Sequence, residues 1–200
     1  MSLRKFRLFV GNEYAFLPNL HRTAKRFHEV NRERDTAIVS LFLGSGIRLS
    51  ELVGLDIENI NLENNTVEVV RKGGKKDFVR ISDIALLDVR DYISIRNKRY
   101  KPARNMNALF IPSPESIHHS EGRLKVRSVQ ATIEKYAIAF GRPSLTVHKL
   151  RHSFATKHYQ ENKDTVALRR QLGHESSETT NIYTHVMDDS LRDAVNRADK

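Results

Sequence analysis

The chain has 200 residues, enough for one domain with a true core, and 34 Lys and Arg against 24 Asp and Glu leave it with a formal charge of +10. That balance favours a polyanionic partner, most simply nucleic acid, held by salt-sensitive contacts. The absence of cysteine excludes disulfides and cysteine-ligated zinc and suits a reducing cytoplasm, and no apolar run approaches the roughly 20 residues that span a bilayer.

Residues 1 to about 18 mix basic and aromatic side chains, and Pro18 marks a break. Asn19 to Arg34 is polar and helix-compatible. Asp35 is placed to cap an apolar helix, Ala37–Leu43, that ends at Gly44-Ser45-Gly46. Arg48 follows those glycines and opens a short helix with Leu49, Leu52 and Val53 on one side. Thr66–Val70 and Asp77–Ile81 are rich in β-formers and flank Lys72-Gly73-Gly74-Lys75, a hairpin signal because the tight turn needs positive φ. A helix from Asp83 to about Lys98 comes next, then a proline-containing connection, Ile111–Pro114, and a helix to about Phe140 capped by Ser128. The chain is thus predicted to be α+β, mostly helical, with a small antiparallel sheet.

The last third carries the residues with chemistry. Thr146 caps a helix on which His148 and Arg151, three apart, share a face. Asp164 caps Thr165–Leu172, Gly173 suits its left-handed end, and His174 follows directly. Tyr183 falls on a further helix capped by Ser176 or Ser177. Beyond it Leu191, Ala194, Val195 and Ala198 form an apolar stripe, which packs either on its own core or on a neighbouring subunit. His152 reads as a histidine behind Arg151, either supporting it or lying in the core. His21, His28, His118, His119, His158 and His185 offer no HExxH pattern and no cluster with carboxylates, which disfavours a metalloenzyme.

Leu-x-x-His-x-Leu-Arg-His at 145–152, Leu-Gly-His at 172–174 nine residues before Tyr183, and Gly-x-Arg-x-x-Glu-Leu at 46–52 together resemble the tyrosine recombinases, the site-specific integrases. The resemblance runs from about Asp35 to His185, and Arg71–Lys75 with Ile182–His185 are most similar to the Xer type. It implies a catalytic domain at 35–200 preceded by a 1–34 extension or linker. Relatives usually carry a further N-terminal helical domain, for which 200 residues leave no room.

By the same resemblance Tyr183 is the nucleophile, Arg48 and Arg151 clamp the scissile phosphate, His148 and His174 assist, and hairpin Lys72 is the general acid. Arg71, Lys75 and Lys76 are its neighbours, and Lys72 is chosen by its match to the family's lysine-glycine pattern. No cofactor or metal is implied. The implied partner is a double-stranded DNA recombination site bound by a homo- or hetero-tetramer, joined for the Xer type by a DNA translocase.

Elementary chemistry asks for the same groups. Phosphoryl transfer is mainly positioning and charge stabilisation, and planar guanidiniums match phosphate oxygens in pairs. A phenol with a pKa near 10 needs a base and a positive field to attack at neutral pH. The leaving 5′-oxygen needs a proton, which a lysine beside two arginines can give. A type IB topoisomerase would use nearly the same groups, and a non-catalytic DNA-binding protein would account for the charge alone. A covalent protein–DNA adduct separates the binder from both enzymes.

Overall fold

The computed structural model describes residues 3–116 and 122–173. Seven α-helices and one small sheet are found among these residues: α1 (Leu3–Leu8), α2 (Arg22–Ser45), α3 (Leu49–Gly54), β1 (Ile60–Asn61), β2 (Thr66–Val70), β3 (Lys76–Arg80), α4 (Asp83–Tyr100), α5 (Val126–Ala139), α6 (Val147–Asn162) and α7 (Thr165–Leu172). Among the described residues no helix is long and apolar enough to cross a membrane.

The organising element is α2. Its second half, with Ile38, Val39, Leu41 and Phe42 fully buried, packs against α1, α4, α5 and α6. Each such side chain contributes on the order of 1.5–3 kcal/mol by leaving water. Phe6, Phe9, Val10 and Tyr14 join this same core from the N-terminal segment, where Phe140 meets the Phe6 ring edge-on and the Phe9 ring at a tilt. Arg7 ties that segment to α4 through both carboxylate oxygens of Asp88.

Asp35 does not cap a helix as its position before the apolar run suggested. The polar stretch before it continues as α2, which runs unbroken through residues 34 and 35. Asp35 is instead fully buried, neutralised by Arg34 at 2.8 Å and accepting from the Tyr136 hydroxyl at 2.8 Å. The Tyr136 oxygen in turn lies 2.9 Å from His28 Nδ1. This internal polar chain joins α2 to α5 and pairs the Tyr136 hydroxyl on both sides, while His28 Nε2 has no hydrogen-bond partner among the described residues.

The sheet is antiparallel with order β1-β2-β3. Val67, Val69 and Val79 face the core while Val70 and Phe78 are exposed, the period-2 alternation that marks Thr66–Val70 as a strand. The short β1 was not expected, because two residues carry no legible alternation. The hairpin loop is Lys72-Gly73-Gly74, closed by the Arg71 amide donating to the Lys75 carbonyl at 2.8 Å, and both glycines have positive φ (77° and 79°).

Helix ends mostly follow the capping chemistry. Thr146 accepts from Lys149 N, Asp164 accepts from Val166 N and Ala167 N, and Gly46 and Gly173 are left-handed at the ends of α2 and α7. Ser128 differs: α5 starts at Val126 with Lys125 at its cap, so Ser128 sits within the first turn. A second, small apolar cluster of Ala155, Tyr159, Leu168 and Leu172, with Phe154 against it, fastens α7 to α6.

Candidate active site

Between α3, the hairpin and α6 opens a cleft of about 1280 Å³ whose lining includes Arg48, Arg71, Lys72, His148, Arg151 and Gly173. The groups come from separate stretches of chain. Arg48 sits at the start of α3, placed there by the left-handed Gly46 that ends α2. Lys72 is the first residue of the hairpin loop and is exposed. His148 and Arg151 lie on the first turns of α6, and Gly173 ends α7.

Glu51 anchors the electrostatics. It is a buried carboxylate in the first turn of α3, where an acid is favoured by the helix dipole. Its Oε2 accepts from the Arg48 amide at 2.8 Å. Its Oε1 accepts from the Arg48 guanidinium at 2.9 Å and from that of Arg71 at 2.8 Å. One carboxylate therefore orients two arginines.

The C-terminal end of α7 is the second anchor. Helices finish with unsatisfied carbonyls carrying partial negative charge, and here arginines take them up. Arg48 donates to Gly173 O at 2.8 Å, Arg71 to Leu172 O and Gln171 O at 3.2 Å each, and Arg151 to Leu172 O at 3.0 Å. Arg151 also donates to the Gly46 carbonyl, joining α6 to the turn that precedes Arg48. The Gln171 amide completes the seam, donating to Ser45 O at 2.9 Å and Arg80 O at 2.7 Å. A Cβ at Gly173 would collide with the Arg71 guanidinium, so glycine is needed for space as well as for its φ of 62°.

Four of the six sequence-predicted site residues thus share one cleft: Arg48, Lys72, His148 and Arg151. His174 and Tyr183 lie outside the described residues, as do Ser176, Ser177, His185 and the stripe from Leu191 to Ala198. His152 is not a core residue. It is exposed, because one step along a helix turns a side chain about 100° from its neighbour. Sequence reasoning named Glu51 only as part of a motif and Arg71 only as a rival of Lys72. The i, i+3 spacing of Arg48 and Glu51 was the available signal for the first, and nothing local signalled that Arg71 turns inward.

The neighbours of Lys72 are accounted for differently. Arg71 is engaged by Glu51 and Asp77, with its side chain only 8% exposed. Lys76 pairs with Glu68 at 2.8 Å, and that hydrogen bond raises its pKa.

The phage integrase family model matches residues 17–190. The tyrosine recombinase XerS of Streptococcus thermophilus strain CNRZ 1066 is 40% identical over 191 residues, covering 96% of this chain and 52% of that protein. XerS of Streptococcus agalactiae strain NEM316 is 38% identical over 202 residues, covering 96% and 56%. The chain thus spans about half the length of the curated relatives it matches. Among solved structures, the XerA recombinase aligns with a TM-score of 0.69 at 28% identity, covering 90% of this chain and 64% of that one. A XerH site-specific recombinase bound to palindromic difH substrate, a post-cleavage complex, shares the fold with a TM-score of 0.73 at 23% identity, covering 100% and 53%. The chain belongs to the phage integrase family, and tyrosine recombinases of the Xer type are its relatives.

Proposed function

We propose that this chain carries the catalytic machinery of a site-specific DNA recombinase, breaking and rejoining double-stranded DNA through a 3′-phosphotyrosine intermediate. The observation that carries the reading is the gathering of Arg48, Lys72, His148 and Arg151 on one open cleft, from three stretches of chain that only the fold brings together. Catalytic groups of this reading all fall within residues 35–200, and residues 1–34 act as an extension whose aromatic side chains support the core.

In this mechanism Arg48 and Arg151 hold the non-bridging oxygens of the scissile phosphate, each orienting a planar pair of donors. The Tyr183 oxygen attacks phosphorus as its proton passes to His148 or His174. The bond to the 5′-oxygen breaks, that oxygen takes a proton from Lys72, and the 3′-phosphate stays on tyrosine. Rejoining reverses each transfer with a 5′-hydroxyl as nucleophile. Lys72 is preferred over Lys75 and Lys76 because it lines the cleft, whereas Lys76 is held by Glu68. The +10 charge supports binding to the duplex. A homo- or hetero-tetramer on DNA, and a DNA translocase as further partner, belong to the same proposal, with the stripe from Leu191 to Ala198 as the contact between subunits.

The test is trapping on nicked duplexes enriched from a randomised pool by binding to the protein. The wild type forms an adduct that survives a denaturing gel, and Tyr183→Phe binds the same duplexes without forming it. An adduct that persists in Tyr183→Phe overturns the assignment, and strand exchange between two duplexes separates recombination from simple nicking and resealing.

A further inference from the structure

We propose that Arg71 is a positioning residue for the strand-cleavage step: it holds the hairpin loop so that Lys72 meets the leaving oxygen. This rests on the reading of Lys72 as general acid. An arginine at the mouth of an exposed hairpin, followed by Lys72, Lys75 and Lys76, would ordinarily extend into water or onto a phosphate. Here it folds inward, and the three lysines stay exposed while its own side chain is buried.

Its guanidinium bonds to three separate elements at once. Nη1 reaches Glu51 at 2.8 Å on α3, Nε reaches Asp77 at 3.2 Å on β3, and Nη1 and Nη2 reach the carbonyls of Leu172 and Gln171 on α7. The backbone of Arg71 closes the loop that carries Lys72, through Arg71 N to Lys75 O at 2.8 Å and Gly74 N to Arg71 O at 3.1 Å. Side chain and backbone together make Arg71 the point where the loop is pinned. The Glu51 oxygen it shares with Arg48 gives the lysine and a phosphate-holding arginine a common reference. A planar fork can satisfy several acceptors in fixed geometry, which an ammonium cannot. Gly173 leaves the room the guanidinium occupies.

The experiment compares Arg71→Ala, Arg71→Lys and Lys72→Ala in the full chain on one nicked duplex, selected by binding from a randomised pool. The wild-type adduct maps the cleaved position, and that duplex is then made with oxygen or sulfur as the 5′-bridging atom. A sulfur leaving group departs as a thiolate and needs no proton. Lys72→Ala is expected to lose roughly a hundredfold or more on the oxygen substrate and recover on sulfur. Arg71→Ala is expected to lose roughly tenfold or more on oxygen and to recover on sulfur to within about threefold of wild type. Arg71→Lys should show the same selective loss, and it carries the test if Arg71→Ala does not fold by circular dichroism. If Lys72→Ala recovers on sulfur but the Arg71 variants lose equally on both substrates, Arg71 is structural and this proposal is overturned alone. If Lys72→Ala also fails to recover, the general-acid reading falls and takes the positioning role with it.

Discussion

Arg71 and Arg151 donate to the same oxygen, the carbonyl of Leu172, at 3.2 and 3.0 Å. One comes from a hairpin and the other from a helix, and they meet on the last turn of α7, one residue before Gly173. The end of that short helix serves as a keystone: its last carbonyls collect Arg48, Arg71 and Arg151, and the chain leads from it straight to His174.

Glu51→Gln should destabilise the protein by about 2–3 kcal/mol, below the value for a fully buried ion because Arg48 is partly solvated. Urea denaturation measures this, and covalent adduct formation should fall in parallel. A loss under about 0.5 kcal/mol would show that the carboxylate does not organise the two arginines.

Gly46→Ala should cost about 2–4 kcal/mol. It forces a left-handed backbone on alanine and drives a methyl into the Phe154 ring and to 2.9 Å from Leu172 Cδ2, displacing α7. Gly54→Ala, with nothing within 4 Å, should be neutral or stabilising by up to about 1 kcal/mol. Equal thermal shifts for the two variants would contradict this account.

Acid stability should depend on His28. Its ring is buried against Tyr14 and Tyr136, and burial pushes its pKa down from 6.5 to about 4, ahead of the opposing pull of Asp35 and the repulsion from Lys135. Tyr136 gives its proton to Asp35, so its oxygen accepts from His28 Nδ1, and a second ring proton would land on Nε2, which has no protein partner among the described residues. The folded pKa lies below the unfolded one, so the unfolded chain binds the extra proton first as pH falls. Stability is therefore full above about pH 6.5 and declines towards pH 4, by about 3 kcal/mol. Urea midpoints across that range test it, and His28→Phe should flatten the slope. An unchanged slope would assign the acid sensitivity elsewhere.

Cleavage should persist in EDTA, because Arg48, Arg151 and Lys72 supply the positive charge and the proton that the reaction needs. The adduct assay with and without chelator checks this. A strict divalent-ion requirement for cleavage itself, rather than for binding DNA, would count against the mechanism.

Local order was legible because local chemistry sets it. Period-2 alternation marked β2 and β3, paired glycines marked the hairpin, and Thr146, Asp164 and Gly173 marked the ends of α6 and α7. The identities of Arg48, Lys72, His148 and Arg151 as chemical groups, and the family they point to, were readable from residue type, order and spacing. What failed locally failed for one reason. Asp35 and Ser128 both have the composition of a cap, but helical backbone runs through each: α2 begins at Arg22, where the His21 side chain accepts from Thr23 N, and α5 begins at Val126. Only the tertiary structure could decide that Arg71 turns inward while Lys72 stays exposed, since both are basic residues at the mouth of one loop. That choice depends on Glu51 and the end of α7, which are distant in sequence and become neighbours only when α2 is packed and Gly46 has turned the chain.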